Sequence, residues 1–291
     1  MTSEETTAVQ VPGARVAADA VLPNEPGRLP SRKIRPMELL VPGGQVWADD
    51  SGGEGPTVVL LHPGWGDSAI WPPVMERLPA HYRVIRYDVH GYGKSPAPAA
   101  PFTQLGDLIG VLDHLAADRV LLVGHSGGGG TAIGLALADP ARVSGLLLLA
   151  PGVPDYPWPP DDPYFLRFAE FYEAGDRDGL TELGLRTWAP ADPGPPARDQ
   201  VRGAVDAFYA IAGFEQRDPP AWARLAEVSA PSVVVTGGLE YPMVVHCAEK
   251  VAARIPGCRR VFAKGADHLL PLRVPDLIAD LIADLIANLA G

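Results

Sequence analysis

An apolar run, Val120-Leu121-Leu122-Val123, stops at Gly124-His125-Ser126-Gly127-Gly128 and passes straight into a helical segment. Few local patterns restrict a fold so tightly. A buried strand is expected over 119–123, and a helix over 131–138 that ends before Pro140. A strand that reaches a helix through Gly-x-Ser-x-Gly turns so sharply that the serine backbone is strained. Only glycines two residues before and after it then avoid collision with the neighbouring strand and helix. The turn exposes the Ser126 hydroxyl and sets a helix N-terminus beneath it, an arrangement suited to attack on a carbonyl. The chain holds 32 glycines, so the bare pattern could arise by chance; the strand before it and the helix after it give it weight.

With 291 residues the chain can hold one large α/β domain or two small ones. At 47% hydrophobic and 20% charged residues it can bury a sizeable core without metals or disulfides. The net charge of -11, with no basic cluster, argues against nucleic acid or an anionic membrane as partner. Cys247 and Cys258 are the only cysteines, and no Cys-x-x-Cys or His/Cys cluster occurs, so neither a metal nor a cofactor is expected. Glu4 and Glu5 stand where a secretory signal would be basic, and no stretch is apolar enough to span a bilayer. A cytoplasmic location is the expectation.

Residues 1–35 are rich in Pro, Ala, Gly and charge, and read as a flexible arm. Beyond them, strands are expected as a hairpin (37–41 and 45–48) and at 57–61, 82–87, 119–123, 143–149, 232–235 and 260–262. Helices are expected at 70–78, 105–117, 131–138, 244–255 and 275–289. Apolar strands alternating with helices predict an α/β fold, a mostly parallel eight-stranded sheet with helices on both faces, formed by 36–150 and 227–291. The segment 151–226 interrupts this alternation after the sixth strand. It carries 12 of the 21 aromatic residues and several proline clusters, and reads as a helical cap lining an apolar pocket. The alternative is that most of these rings fasten the cap to the sheet. The last helix repeats Leu-Ile-Ala-Asp, which gives an apolar stripe for packing on the sheet or, less simply, for a homodimer.

A serine hydroxyl needs a base, and the base needs an orienting acid. Among seven histidines, His268 follows the last strand and precedes the last helix, where strand C-termini open onto a site. His125 is too close to Ser126 to turn back onto it. His81, His114 and His246 read as surface residues. Glu240, after the strand at 232–235, is the favoured acid; Asp155, after the preceding strand, is its rival. The N–H of Gly127 can hold a developing oxyanion, with a second donor, Gly64 or Trp65, from the loop His62–Ser68. The turn Asp88–Ser95 lacks phosphate-loop spacing and reads as a brace for that loop.

Taken in order, His62–Ser68, Asp88–Ser95, Gly124–Gly128, Gly237–Pro242 and Gly265–His268 resemble the α/β-hydrolase fold superfamily, in its cap-bearing branch of esterases, lactonases, carbon–carbon bond hydrolases and cofactor-free peroxidases. The resemblance implies the α/β-hydrolase fold and a Ser126-His268-Glu240 triad cleaving an ester, thioester or lactone of a largely apolar or aromatic small molecule. Two alternatives remain open at this point: non-hydrolytic use of the same residues (carbon–carbon cleavage, acyl transfer or cyclisation) and a ligand-binding, receptor-like protein. Pro63, Glu240 and His90 stand where the family usually has glycine, aspartate and often arginine. Serine at 126 separates the chain from the dehalogenase and epoxide-hydrolase relatives, which place aspartate there.

Overall fold

The structure, a computed structural model, describes residues 34–289. The arm expected over 1–35 falls almost wholly outside the described residues. The chain enters through an antiparallel hairpin, β1 (Arg35–Val41) and β2 (Gly44–Asp50), turned at Gly43 and Gly44, both with positive φ. Six further strands follow: β3 (Thr57–Leu61), β4 (Arg83–Tyr87), β5 (Val120–His125), β6 (Val143–Leu149), β7 (Ser232–Gly237) and β8 (Arg259–Ala263). The sheet order is β1-β2-β4-β3-β5-β6-β7-β8, antiparallel at the first two pairings and parallel from β4 to β8. The eight-stranded, mostly parallel α/β architecture is therefore as the alternation implies.

Central strands β3, β5 and β6 are apolar almost throughout because helices cover both faces of the sheet. These helices are α1 (Pro72–Met75), α2 (Gln104–His114), α3 (Gly127–Ala138), α7 (Pro242–Arg254), α8 (Leu270–Arg273) and α9 (Pro275–Leu289). Between β6 and β7 three more are inserted: α4 (Pro163–Glu173), α5 (Arg177–Trp188) and α6 (Pro195–Ala210). The stripe on α9, with Ile278, Leu281, Ile282 and Leu285, is buried, and the helix packs near β6, α1 and α8 while Asp280 and Asp284 stay exposed.

Two helices differ from expectation. The segment expected as helix over 70–78 is a short 3-10 turn, Ser68–Ile70, followed by the single turn α1. Consecutive prolines at 72 and 73 start that turn but give it no N–H to bond backwards. Conversely, α3 starts at Gly127 rather than Thr131, so its first four residues are all glycine. Glycine costs about 1 kcal/mol per helical position relative to alanine, so tertiary contact must supply the difference. It does: α3 is buried against the sheet along Ala132, Ile133, Leu135 and Ala136.

Candidate active site

Ser126 sits between β5 and α3 with φ 52° and ψ -115°, outside the ordinary backbone regions. The surroundings fix this strained state. The Ser126 N–H donates to Leu149 O at 2.9 Å, and its carbonyl accepts from Gly129 N and Gly152 N, both at 2.9 Å. The flanking glycines are obligatory here. A Cβ on Gly124 would meet Gly128 O at 2.5 Å, and one on Gly128 would meet Leu61 O at 2.6 Å and His62 O at 2.7 Å. Gly127, at the first position of α3, leaves its N–H unbonded and exposed.

His268 is buried in the loop between β8 and α8. Its Nδ1 lies 2.9 Å from Glu240 Oε2, while Oε1 of the same carboxylate accepts the Tyr241 N–H at 2.9 Å. With the Nδ1 proton directed to the carboxylate, Nε2 keeps its lone pair; that atom is buried and has no partner within the protein. The rival acid is engaged elsewhere. Asp155 Oδ1 accepts the N–H groups of Ala221 and Trp222, where the inserted segment returns to the sheet. The structure thus brings His268 to Glu240 and not to Asp155. Ser126 Oγ and His268 Nε2 are not hydrogen-bonded to each other in this arrangement.

His125 has a role that its sequence position concealed. Its side chain turns away from Ser126, and its Nε2 donates to the His268 carbonyl at 2.7 Å. The two imidazoles lie with centroids 4.9 Å apart, which places the His268 loop against the residue adjoining the serine. Burial holds His125 neutral, its pKa well below the usual value. A Gly-x-Ser pattern alone carries no signal for this, because side-chain direction at a strand end depends on the neighbouring loop. Asp267, the residue before His268, is also fully buried and accepts from Arg273, from Leu269 N and from Ala191 N of the inserted segment.

The loop His62–Ser68 is held from both sides. On the sheet side, Val89 N–H donates to His62 Nε2 at 3.0 Å, so the Nδ1 proton faces Pro63 O at 2.9 Å. Asp88 accepts the N–H groups of Ser68 and Lys94, which makes the 88–95 turn the expected brace. On the other side, the Gln200 amide of α6 pairs with Asp67 through two hydrogen bonds of 3.0 and 2.9 Å. The Trp65 indole donates to Tyr164 OH at 2.8 Å and packs edge-on against Phe208, with the side-chain-free surface of Gly184 making room. Neither Gly64 N–H nor Trp65 N–H is bonded among the described residues, and Gly64 N lies 3.7 Å from where a Gly127 Cβ would project. The two candidate donors thus share a loop facing the start of α3.

Most inserted aromatics fasten this region together. Trp65, Tyr164, Phe168, Trp188 and Phe208 form one contiguous cluster, and Trp188 lies 4.7 Å from the His268 ring. A cavity of about 1090 Å³ opens instead beside Gly127, Gly130 and Gly152. Its walls are mixed: Tyr156, Trp158 and several prolines line it together with Gln104, Asp155, Glu215, Arg217 and Asp218. A mostly apolar pocket is the sequence expectation; polar groups at the α2 N-terminus enter because the loop 212–221 pairs with Phe102.

Among the described residues no group of three or more His, Cys, Asp or Glu side chains could hold a metal ion, and no helix is long and apolar enough to cross a membrane.

A sequence profile of the alpha/beta hydrolase family matches residues 58–281. A pimeloyl-(acyl-carrier protein) methyl ester esterase of Aeromonas salmonicida is 28% identical over 239 residues, spanning 74% of this chain and 89% of that protein. The solved structure of Est816, described as an N-acyl homoserine lactone degrading enzyme, superposes with a TM-score of 0.70 and 27% identity, covering 85% of this chain and 99% of the other. The enol-lactonase of Burkholderia xenovorans LB400 shares the fold, with a TM-score of 0.71 at 23% identity over 86% of this chain and 100% of its own.

Proposed function

The chain belongs to the alpha/beta hydrolase family, and from that premise we propose that it is a serine hydrolase acting on an ester, thioester or lactone of a small molecule. The observation that carries this reading is the 2.9 Å His268–Glu240 hydrogen bond, which leaves a buried, unpartnered Nε2 on the loop that docks onto His125, next to Ser126. A relative that is a methyl ester esterase and one that degrades a lactone support the same bond class.

In this reading substrate entry and rotation of the Ser126 side chain close the contact to His268, as such contacts commonly tighten only in the complex. His268 takes the hydroxyl proton as Ser126 Oγ attacks the carbonyl carbon. The oxyanion is received by Gly127 N–H and by Gly64 or Trp65 N–H, and Glu240 steadies the imidazolium. The intermediate collapses as His268 returns the proton to the leaving oxygen or sulfur. Water, deprotonated by the same imidazole, then attacks the acyl-serine and releases the acid. The segment 151–226 acts as the cap, its rings contributing an apolar or aromatic wall.

Graded p-nitrophenyl esters and lactones should be turned over by the wild type and not by Ser126→Ala. In 18O-water the acid product should gain one solvent oxygen. Turnover that persists in Ser126→Ala would overturn the proposal, and an acid product without solvent oxygen would replace hydrolysis by transfer or cyclisation.

A further inference from the structure

The cavity beside Gly127 contains more acid than its surroundings neutralise. Glu215 Oε1 accepts from Gln104 Nε2 at 2.7 Å, and the Gln104 carbonyl oxygen accepts in turn from Thr131 Oγ1 at 3.2 Å, one helical turn from Gly127. This relay fixes the Gln104 amide and leaves Glu215 Oε2 without a hydrogen bond among the described residues. Asp218 Oδ1 accepts Leu105 N–H at the start of α2, and Asp155 uses only Oδ1, so each also keeps one free oxygen. Arg217 is the one basic residue among the cavity-lining side chains, and it forms no ion pair with any of the three among the described residues. Partial desolvation and repulsion from Asp218 push the Glu215 carboxyl above its usual pKa, and desolvation does the same for Asp218.

The lining is also aromatic. Tyr156 and Trp158 line the same cavity, with ring centroids 4.4 Å apart in an edge-to-face pair. A cavity lined by both carboxylates and aromatic rings attracts an organic cation and gives a neutral isostere of equal size no charge contact. At about 1090 Å³ the cavity has room for a small molecule, and its lining includes Gly127, the residue after Ser126.

We propose that this cavity is a substrate subsite for an alkylammonium group, with Glu215 and Asp218 as its anionic side, Tyr156 and Trp158 as its aromatic side, and Gln104 setting the position of Glu215. The inference rests on the hydrolase reading only for the word substrate; the site itself is a binding property. It adds a cationic terminus to the apolar acyl or alcohol part that the cap would take.

Calorimetric titration with choline and with its neutral isostere 3,3-dimethylbutan-1-ol tests the site without requiring turnover. Choline should bind the wild type about tenfold more tightly than the alcohol. Glu215→Gln combined with Asp218→Asn, which keeps the acceptors for Gln104 and Leu105, should bring the two within about twofold. Equal binding of the pair by the wild type, or a preference unchanged in the double variant, overturns the proposal. Should the double variant not fold, salt decides: raising ionic strength from about 0.05 M to about 0.5 M must weaken choline and spare the alcohol, and insensitivity of choline to salt overturns the site. Kinetics then separate the two readings. With p-nitrophenyl 4-(trimethylammonio)butanoate and p-nitrophenyl 5,5-dimethylhexanoate, equal kcat/KM removes the ammonium subsite and leaves the hydrolase. A choline preference in calorimetry without hydrolysis of either ester leaves the cation site and removes the hydrolase.

Discussion

The strand-end loops and the inserted helices meet at one site but are built from opposite materials. At the end of β5, main chain packs on main chain: Gly124 and Gly128 have no room for a methyl group, and Ser126 is held by its own N–H and carbonyl. Across the site, α4, α5 and α6 are joined to the sheet by rings and a few polar clamps, such as Trp65 with Tyr164 and Gln200 with Asp67. Backbone contacts leave few alternatives to the geometry they fix. Side-chain contacts can be exchanged while the fold is kept. In the proposed hydrolase reading, chemistry belongs to the sheet ends and selectivity to the insertion.

The comparison breaks most visibly at the acid. Glu240→Gln removes the charge facing His268 while keeping the shape, and kcat/KM should fall by about 10³-fold with KM nearly unchanged; steady-state kinetics on a p-nitrophenyl ester checks this. Gly128→Ala should cost about 3 kcal/mol or more of stability, because neither Leu61 O nor His62 O can move without shifting β3. Denaturant melts measure it, and a variant of wild-type stability would remove the argument for an over-determined elbow.

His125→Phe leaves the His268 carbonyl without its donor, and kcat/KM should fall about tenfold, with partial recovery in His125→Gln. A pH series sharpens this point. Buried His125 stays neutral in the fold, whereas the unfolded chain protonates it near 6.5, the ordinary histidine value. The stabilisation is thus present above that pH and lost as the pH falls toward the lowered folded-state pKa. The wild-type melting temperature should drop more steeply from pH 7 to pH 5 than that of His125→Phe. The smallest effect belongs to the insertion: Phe168→Ala should change kcat on a small acetate ester by less than about threefold while raising KM for a bulky aromatic ester.

Much of the sheet was legible because buried parallel strands are written as apolar runs, and β3 and β6 match their expected limits residue for residue. The pairing of His268 with Glu240 was legible from chain order, since each follows the C-terminal end of its strand. Other features were not readable locally. Of the four glycines that open α3, Gly128, Gly129 and Gly130 are required because the sheet and the Pro151–Gly152 turn crowd that helix, which is a fact of tertiary contact. The polar wall of the cavity comes from Glu215 and Asp218, brought to α2 by a loop about a hundred residues later in the chain. Their spacing in sequence gives no sign of that encounter.

Labelling with a fluorophosphonate, followed by peptide mapping of the adduct, addresses the central claim at the atom concerned. A single adduct on Ser126, formed much more slowly in Glu240→Gln and absent in Ser126→Ala, is the predicted result. An adduct on another residue, or undiminished labelling of Ser126→Ala, would contradict it.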